Sequence, residues 1–359
     1  MTHAANSAAA TADPANGSAN GRFHDPDPGA NAGAADSVVA GSIDRVGPDA
    51  QRIIANIEKV IAGKYEVIRL GVTVLLAEGH LLIEDVPGVG KTTFAKALAK
   101  SIDCSVRRLQ FTPDLLPSDV TGVSIYNAES TDFEFKPGPV FANIVLGDEI
   151  NRASPKTQAA LLECMAERQV TVDGTRYELQ SPFIVLATQN PVEMEGTYAL
   201  PEAQRDRFTA KISLGYPDRT AEIAMLSDQT TANDPLTSLA AVSDAAHIRG
   251  LIETVRTVYV ADAVKNYVVA LAEATRNSAE IRLGASPRAS LHLLRTAKAA
   301  AAMSGRDFVL PDDVQQLAVP VLAHRLIPAP SATVAGRSPE DLLAEIVAKV
   351  PIPAANQRV

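Results

Sequence analysis

Short apolar runs recur along the first two-thirds of the chain: His80–Val86 (HLLIEDV), Val106–Phe111 (VRRLQF), Asn143–Glu149 (NIVLGDE), Pro182–Asn190 (PFIVLATQN) and Lys211–Tyr216 (KISLGY). They are short for helices, and most are apolar on successive positions, so they predict strands covered on both faces. Helical spacing fills the gaps. TTFAKALAKSI repeats its apolar residues at Phe94, Leu98 and Ile102, and PKTQAALLECMAE follows the third run. This alternation predicts an α/β core, a parallel sheet with helices on both faces.

Two segments break the rhythm with a period of two. Val123–Phe141 and Arg168–Pro182 alternate apolar and polar residues, and the second turns at Asp173-Gly174. Both predict β-hairpins inserted into the core, where such inserts usually serve partners or substrates. Ahead of the first strand, Ile53, Ile54, Ile57, Val60 and Ile61 share one helical face with Gly63 as its stop, the first of a helix pair. After Tyr216 strand patterns cease, and segments such as DAAHIRGLIETV, SPRASLHLLRTAKAAAAM and SPEDLLAEIVAKV predict an all-helical second domain. Residues 1–41 hold no leucine or isoleucine and predict a disordered tail. The expected division is therefore tail 1–41, core 42–217 and helical domain 218–359.

Composition narrows the function. Of 359 residues 46% are hydrophobic, yet no apolar stretch reaches the roughly 18 residues of a membrane span. The start of the chain has no signal-peptide pattern, so a cytoplasmic location is the expectation. A formal net charge of −9, with no Lys/Arg run longer than Arg107-Arg108, argues against wrapping a nucleic-acid backbone. Cys104 and Cys164 stand alone, outside any metal-ligand spacing.

Chemistry concentrates at the strand ends. In EDVPGVGKTT, Gly88 and Gly90 let backbone N–H groups curl inward, Lys91 would reach outer phosphates, and Thr92 would bind Mg2+. The strict phosphate-loop pattern has glycine where Asp85 stands, so that carboxylate must point away from any phosphate. Asp148 and Glu149 end the third run, placed for one acid to hold the Mg2+ shell and the next to activate water. Asn190 ends the fourth, where a neutral side chain can orient a water or a γ-phosphate, although Asn before Pro is also an ordinary turn. Arg205 and Arg207 in PEAQRDRF are candidates for a guanidinium that stabilises phosphoryl transfer, with surface ion pairing as the alternative. Arg288 follows an N-cap signal, Ser286-Pro287, in a first helical turn where a cation opposes the helix dipole. A bound phosphate would account for it, as would a salt bridge.

Taken in order, EDVPGVGKT, FKPGPVFANIVLGDEINRASPKTQAALLECMAE, ATQNPVEMEGTYALPEAQRDRF, GASPRAS and PDDVQQLAVPVLAHR resemble the MoxR family of AAA+ ATPases over essentially Ile43–Pro353. In that family the glycine loop commonly opens with an acidic or other residue outside the strict pattern, so Asp85 is compatible with it. The resemblance implies an AAA+ P-loop core with a five-stranded parallel sheet and β-hairpin inserts, followed by an all-α lid. It implies ATP and Mg2+ as cofactors, with Pro87, Gly88, Val89, Gly90, Lys91, Thr92 and Thr93 forming the phosphate cradle (Walker A). Asp148 and Glu149 match Walker B, with Thr92 and Asp148 on the metal and Glu149 catalytic. Asn190 matches sensor 1, Arg207 the arginine finger and Arg288 sensor 2. Two residues depart from the pattern: Gly147 stands where alanine is usual, and Arg205 where leucine is usual, leaving the finger open between Arg205 and Arg207.

Proteins similar to this one assemble into rings, commonly hexamers, and act on client proteins, often with a von Willebrand factor A domain partner. The expectation is thus chaperone-like remodelling driven by ATP hydrolysis between subunits. Alternatives are a metal-chelatase-type or nucleic-acid motor ATPase and, in another class, a non-hydrolysing ATP-dependent scaffold ring.

Overall fold

Each apolar run becomes a strand of one parallel sheet. A computed structural model of the chain describes residues 41–190, 198–223 and 235–353. The chain opens with α1 (Ile43–Glu58) and α2 (Tyr65–Leu76), then β1 (Leu81–Glu84), α3 (Lys91–Ser101), β2 (Val106–Gln110) and α4 (Pro117–Thr121). A hairpin of β3 (Gly122–Asn127) and β4 (Asp132–Pro137) leads to β5 (Ile144–Asp148) and α5 (Pro155–Glu167). A second hairpin, β6 (Gln169–Val172) and β7 (Thr175–Glu178), precedes β8 (Ile184–Gln189), α6 (Glu202–Arg205) and β9 (Ala210–Ile212). The main sheet has the order β2-β5-β8-β1-β9, and every pairing in it is parallel.

Side chains on successive strand residues face opposite ways, and this divides the core into two layers. Leu81, Ile83, Ile144, Leu146, Ile184, Leu186, Ala210 and Ile212 face α1, α2 and α3 in one apolar cluster. Leu82, Val145, Val185 and Ala187 face α5 and Phe208 in the other. Phe111 is fully buried in that second layer, and a Cβ at Gly147 would stand 3.0 Å from its ring. Glycine where alanine is usual therefore makes room for Phe111.

The hairpins form as expected. Asp173 (φ 50°) and Gly174 (φ 80°) both take left-handed backbone, the type I′ turn that matches strand twist. Phe135 of β4 stacks on Tyr177 of β7 with ring centroids 4.1 Å apart, so the two hairpins pack together.

Beyond β9 the main elements are helices: α7 (Ala245–Arg256), α8 (Asp262–Asn277), α9 (Pro287–Met303), α10 (Pro311–Leu322) and α11 (Pro339–Lys349). Their apolar faces join the same cluster as α1 and α2, through residues such as Ile248, Leu271, Leu293 and Leu343. One feature departs from an all-helical reading. Ile281–Leu283 and Ile327–Pro328 pair antiparallel, a ribbon too short to leave a period-two pattern. At the other end of the fold, α1 stops at Glu58, short of Val60 and Ile61. The chain must reverse there to begin α2, and both residues reach the core from the turn instead. The expectation for residues 1–41 lies outside the described residues except at Gly41.

Three histidines are held neutral inside this framework. The Val185 N–H donates to His80 Nδ1 (3.0 Å), so Nε2 carries the proton and donates to the Met165 carbonyl (3.1 Å). Burial pushes His80 down to about 4 and, aided by neighbouring Arg325, His292 down to about 3. Burial likewise drives His324 well below its ordinary range. An unfolded chain protonates these rings below about pH 6.5, whereas the folded chain resists until near pH 4 and 3. Folding is therefore fully favoured above pH 6.5 and loses ground as pH falls toward 3. The urea midpoint is expected to drop between pH 7.5 and 5; a midpoint constant over that range would contradict the buried neutral histidines.

Candidate functional site

The loop between β1 and α3 folds around two glycines, Gly88 (φ 84°) and Gly90 (φ 94°), in a backbone region that side chains strain. A Cβ at either would meet nothing within 4 Å, so the glycines serve backbone geometry in an open cleft. α3 begins at Lys91 with Gly90 as its N-cap, and no side chain caps it. Its first turn thus presents backbone N–H groups and the positive end of the helix dipole to the cleft. Lys91 Nζ donates to the Asp85 carbonyl (2.8 Å), which draws the ammonium across the loop. Val89 is turned the other way, packing on the apolar core.

Asp85 explains why the loop tolerates an acid at its head. Its buried carboxylate accepts from the backbone N–H groups of Leu214 and Gly215 and from Ser213 Oγ (3.2 Å). The charge is directed at the chain leaving β9 and away from the cleft, so it ties the entrance of the Gly88–Gly90 loop to the neighbouring strand's exit.

Across the cleft stand Asp148 and Glu149. Consecutive strand residues would point to opposite faces, but Glu149 takes a left-handed backbone (φ 57°, ψ 50°) that brings both carboxylates to one cleft. Such a conformation costs about 1–2 kcal/mol for a non-glycine residue. Surrounding bonds hold it: Thr188 Oγ1 donates to Asp148 Oδ1 (2.6 Å) and accepts from the Glu149 N–H (2.9 Å). The turn after Glu149 is secured by Gln158, fully buried on α5, whose Nε2 faces the carbonyls of Ile150 (3.1 Å) and Ala153 (3.2 Å).

Both acids have further partners that local sequence did not single out. Arg108 NH2 lies 2.7 Å from Asp148 Oδ2. Glu149 Oε2 accepts from Gln110 Nε2 (2.8 Å) and Arg152 NH1 (3.1 Å). With Asn190, these groups and Pro87, Gly88, Gly90, Lys91, Thr92 and Thr93 line a cleft of about 360 Å3. The alternation of β2, with Arg108 and Gln110 flanking buried Leu109, is the signal that could have placed them on one face.

Arg207 and Arg288 are elsewhere. They line a second cleft, of about 230 Å3, together with His80, Arg168, Thr209, His292 and Arg295. His80 and Thr209 immediately precede β1 and β9, so this cleft lies at the amino-terminal edge of the sheet. The Gly88–Gly90 loop follows β1 and Asp148 closes β5, so both lie at the carboxyl-terminal edge. Four residues of β1, about 13 Å of strand, separate the two edges. Arg207 NH1 donates to the Leu162 carbonyl (2.8 Å), and Arg288 NH1 is 3.9 Å from Asp206 Oδ2. Arg205 lines neither cleft, and its buried Nε has no hydrogen-bond partner among the described residues.

Comparison with known proteins gives this geometry a lineage. Residues 80–210 match the ATPase family associated with various cellular activities (AAA), and residues 273–346 match the AAA lid domain. The chain is 38% identical to the Chaperone MoxR1 of Mycobacterium tuberculosis, across 85% of this chain and 83% of that protein. The chain belongs to the MoxR family of AAA+ ATPases. Another member-like relative, YeaC of Bacillus subtilis, carries the description uncharacterized and is 49% identical over 86% of this chain and 96% of its own length. A solved structure of a putative ATPase from Cytophaga hutchinsonii superposes with a TM-score of 0.79 at 40% identity, covering 86% of this chain and 96% of that one. The AAA+ α/β core and helical lid described above are thus those of a MoxR-family protein.

Asp85→Gly restores the strict loop pattern yet strands the Leu214 and Gly215 N–H groups. We expect the variant to lose about 2–3 kcal/mol of stability, read as a lowered urea midpoint with the m-value preserved. An unchanged midpoint would show that the carboxylate does not hold the β9 exit.

Proposed function

We propose that this MoxR-family protein hydrolyses ATP, with Mg2+, at interfaces between copies of itself, and uses the cycle for chaperone-like remodelling or activation of a client protein. The carrying observation is the separation of the two clefts. The phosphate loop, Asp148, Glu149 and Asn190 gather at one edge of the sheet, and the arginines suited to phosphoryl transfer gather at the other. A guanidinium on the far edge cannot meet a nucleotide bound in its own chain. It can meet one held by an adjacent copy in a ring, for which a hexamer is the expected closure.

In this reading the backbone N–H groups of Gly88–Thr93 and Lys91 hold the phosphates, and Glu149 activates the attacking water. Asn190 orients that water or the γ-phosphate. Thr92 and Asp148 would hold Mg2+, which supplies charge neutralisation on the phosphate oxygens. The donor set fits that ion, because Mg2+ keeps several waters and needs one or two protein ligands. Glu149 must first leave Gln110 and Arg152, so those two bonds keep its base occupied until the site is complete. Arg207 serves as the finger from the neighbouring copy, since Arg205 faces neither cleft, and Arg288 acts beside it. The division into core 42–217 and lid 218–359 belongs to the same proposal. So does a partner carrying a von Willebrand factor A domain, by analogy with proteins similar to this one. No described helix is long and apolar enough to cross a membrane.

Three variants test the assignment in purified protein. Lys91→Ala should lose both nucleotide binding and turnover. Glu149→Gln should keep binding and lose about 100-fold or more of turnover. Arg207→Ala should keep its own nucleotide affinity and lose about 1000-fold or more in kcat. Hydrolysis that persists in Lys91→Ala, or a specific activity independent of protein concentration, would sink the interface reading.

A further inference from the structure

Between Arg205 and Arg207 lies Asp206, and its carboxylate is a junction. Ser286 Oγ donates to its two oxygens (2.8 and 2.9 Å) while capping α9 through the Ala289 N–H (3.1 Å). Arg325 Nε donates to Oδ1 (2.9 Å). The rest of the Arg325 guanidinium reaches the carbonyls of Asp206 (3.3 Å), Phe208 and Thr209 (3.3 Å), the backbone on both sides of Arg207. Its NH2 also meets His292 Nδ1 (2.6 Å), one turn along α9 from Arg288. One side chain therefore grips both the segment that carries Arg207 and the helix that carries Arg288.

Arg325 is only 4% exposed. A buried ion pair is weak evidence of stabilisation, since apolar residues of similar volume commonly serve stability as well or better. What an apolar side chain cannot do is hold four carbonyl and imidazole acceptors in fixed directions. The 3.9 Å gap between Arg288 NH1 and Asp206 Oδ2 exceeds hydrogen-bond length, so the junction leaves the Arg288 donors uncommitted to it. We propose that Asp206 and Arg325 are positioning residues that fix the separation of Arg207 and Arg288, so that both guanidiniums meet a neighbouring copy's polyphosphate as one rigid unit. This rests on the interface reading above.

The test uses mixed assemblies of the full chain. A Lys91→Ala copy has a dead phosphate loop and an intact arginine pair; an Asp206→Asn copy has the reverse. Alone, Asp206→Asn should bind a fluorescent ADP analogue with wild-type affinity while kcat falls by about 100-fold, the scale of a misplaced catalytic group. Mixed with Lys91→Ala it should recover turnover, because intact loops then face intact arginine pairs. Arg325→Lys, which keeps the charge and loses the fork, should behave the same way and stands in if Asp206→Asn does not fold. The reference mixture is Arg207→Ala with Lys91→Ala. If that mixture fails to recover, the interface reading falls and takes this proposal with it. If it recovers, two results overturn positioning alone: wild-type kcat in Asp206→Asn and Arg325→Lys, or loss of kcat that mixing does not restore.

Discussion

Parallel strands all end on the same edge, and that constraint organises the molecule. Glu84, Gln110, Asp148, Gln189 and Ile212 close their strands side by side, so the segments that follow β1, β5 and β8 share one cleft without further design. The opposite edge receives whatever precedes the strands, here His80 and Arg207–Thr209. A single chain consequently carries two clefts at opposite edges of its sheet. The lining of each cleft follows from the direction of the backbone that delivers it.

Two buried charges hold this arrangement where the sheet is weakest. β9 has only three residues and one neighbour, β1. Its exit is gathered by Asp85, a carboxylate that collects backbone N–H groups; its entrance is gathered by Arg325, a guanidinium that collects backbone carbonyls. Opposite charges match opposite ends of the peptide unit, and each collects main-chain groups alongside side-chain partners. A short edge strand is thereby fixed at both ends by residues that belong to other elements. Glu78 plays a related part nearby: burial raises its carboxyl, yet ion pairs with Arg168 and Arg256 hold it below the ordinary range.

How much of this could be read from residues alone depended on the range of the interaction. Strands showed as successive apolar positions, the second hairpin through Asp173-Gly174, and the start of α9 through Ser286-Pro287, because each signal is local. The glycine loop after β1 and the paired acids at the end of β5 were legible as strand-end features for the same reason. Glu149's left-handed backbone was hidden, since its support comes from Thr188 and Gln158 in other elements. Arg108 and Gln110 carry no local mark of a site, since only the pairing of β2 with β5 brings them to Asp148 and Glu149. The Asp206–Arg325 junction spans two distant segments and has no periodic trace. The split of the arginines from the phosphate loop was likewise invisible, because the order of motifs along a chain says nothing about which edge of a sheet receives each one.

α5 begins just past the turn that follows Glu149 and ends at Glu167, with Arg168 alone between it and the second hairpin. Its 13 residues make a rod about 20 Å long. Pivoted at its amino end by about 10°, such a rod carries its far end through about 3.5 Å. The Phe135–Tyr177 stack would pass that travel to the first hairpin as well. The connection thus has the geometry of a lever, with the turn after Glu149 at one end of the helix and the paired hairpins at the other.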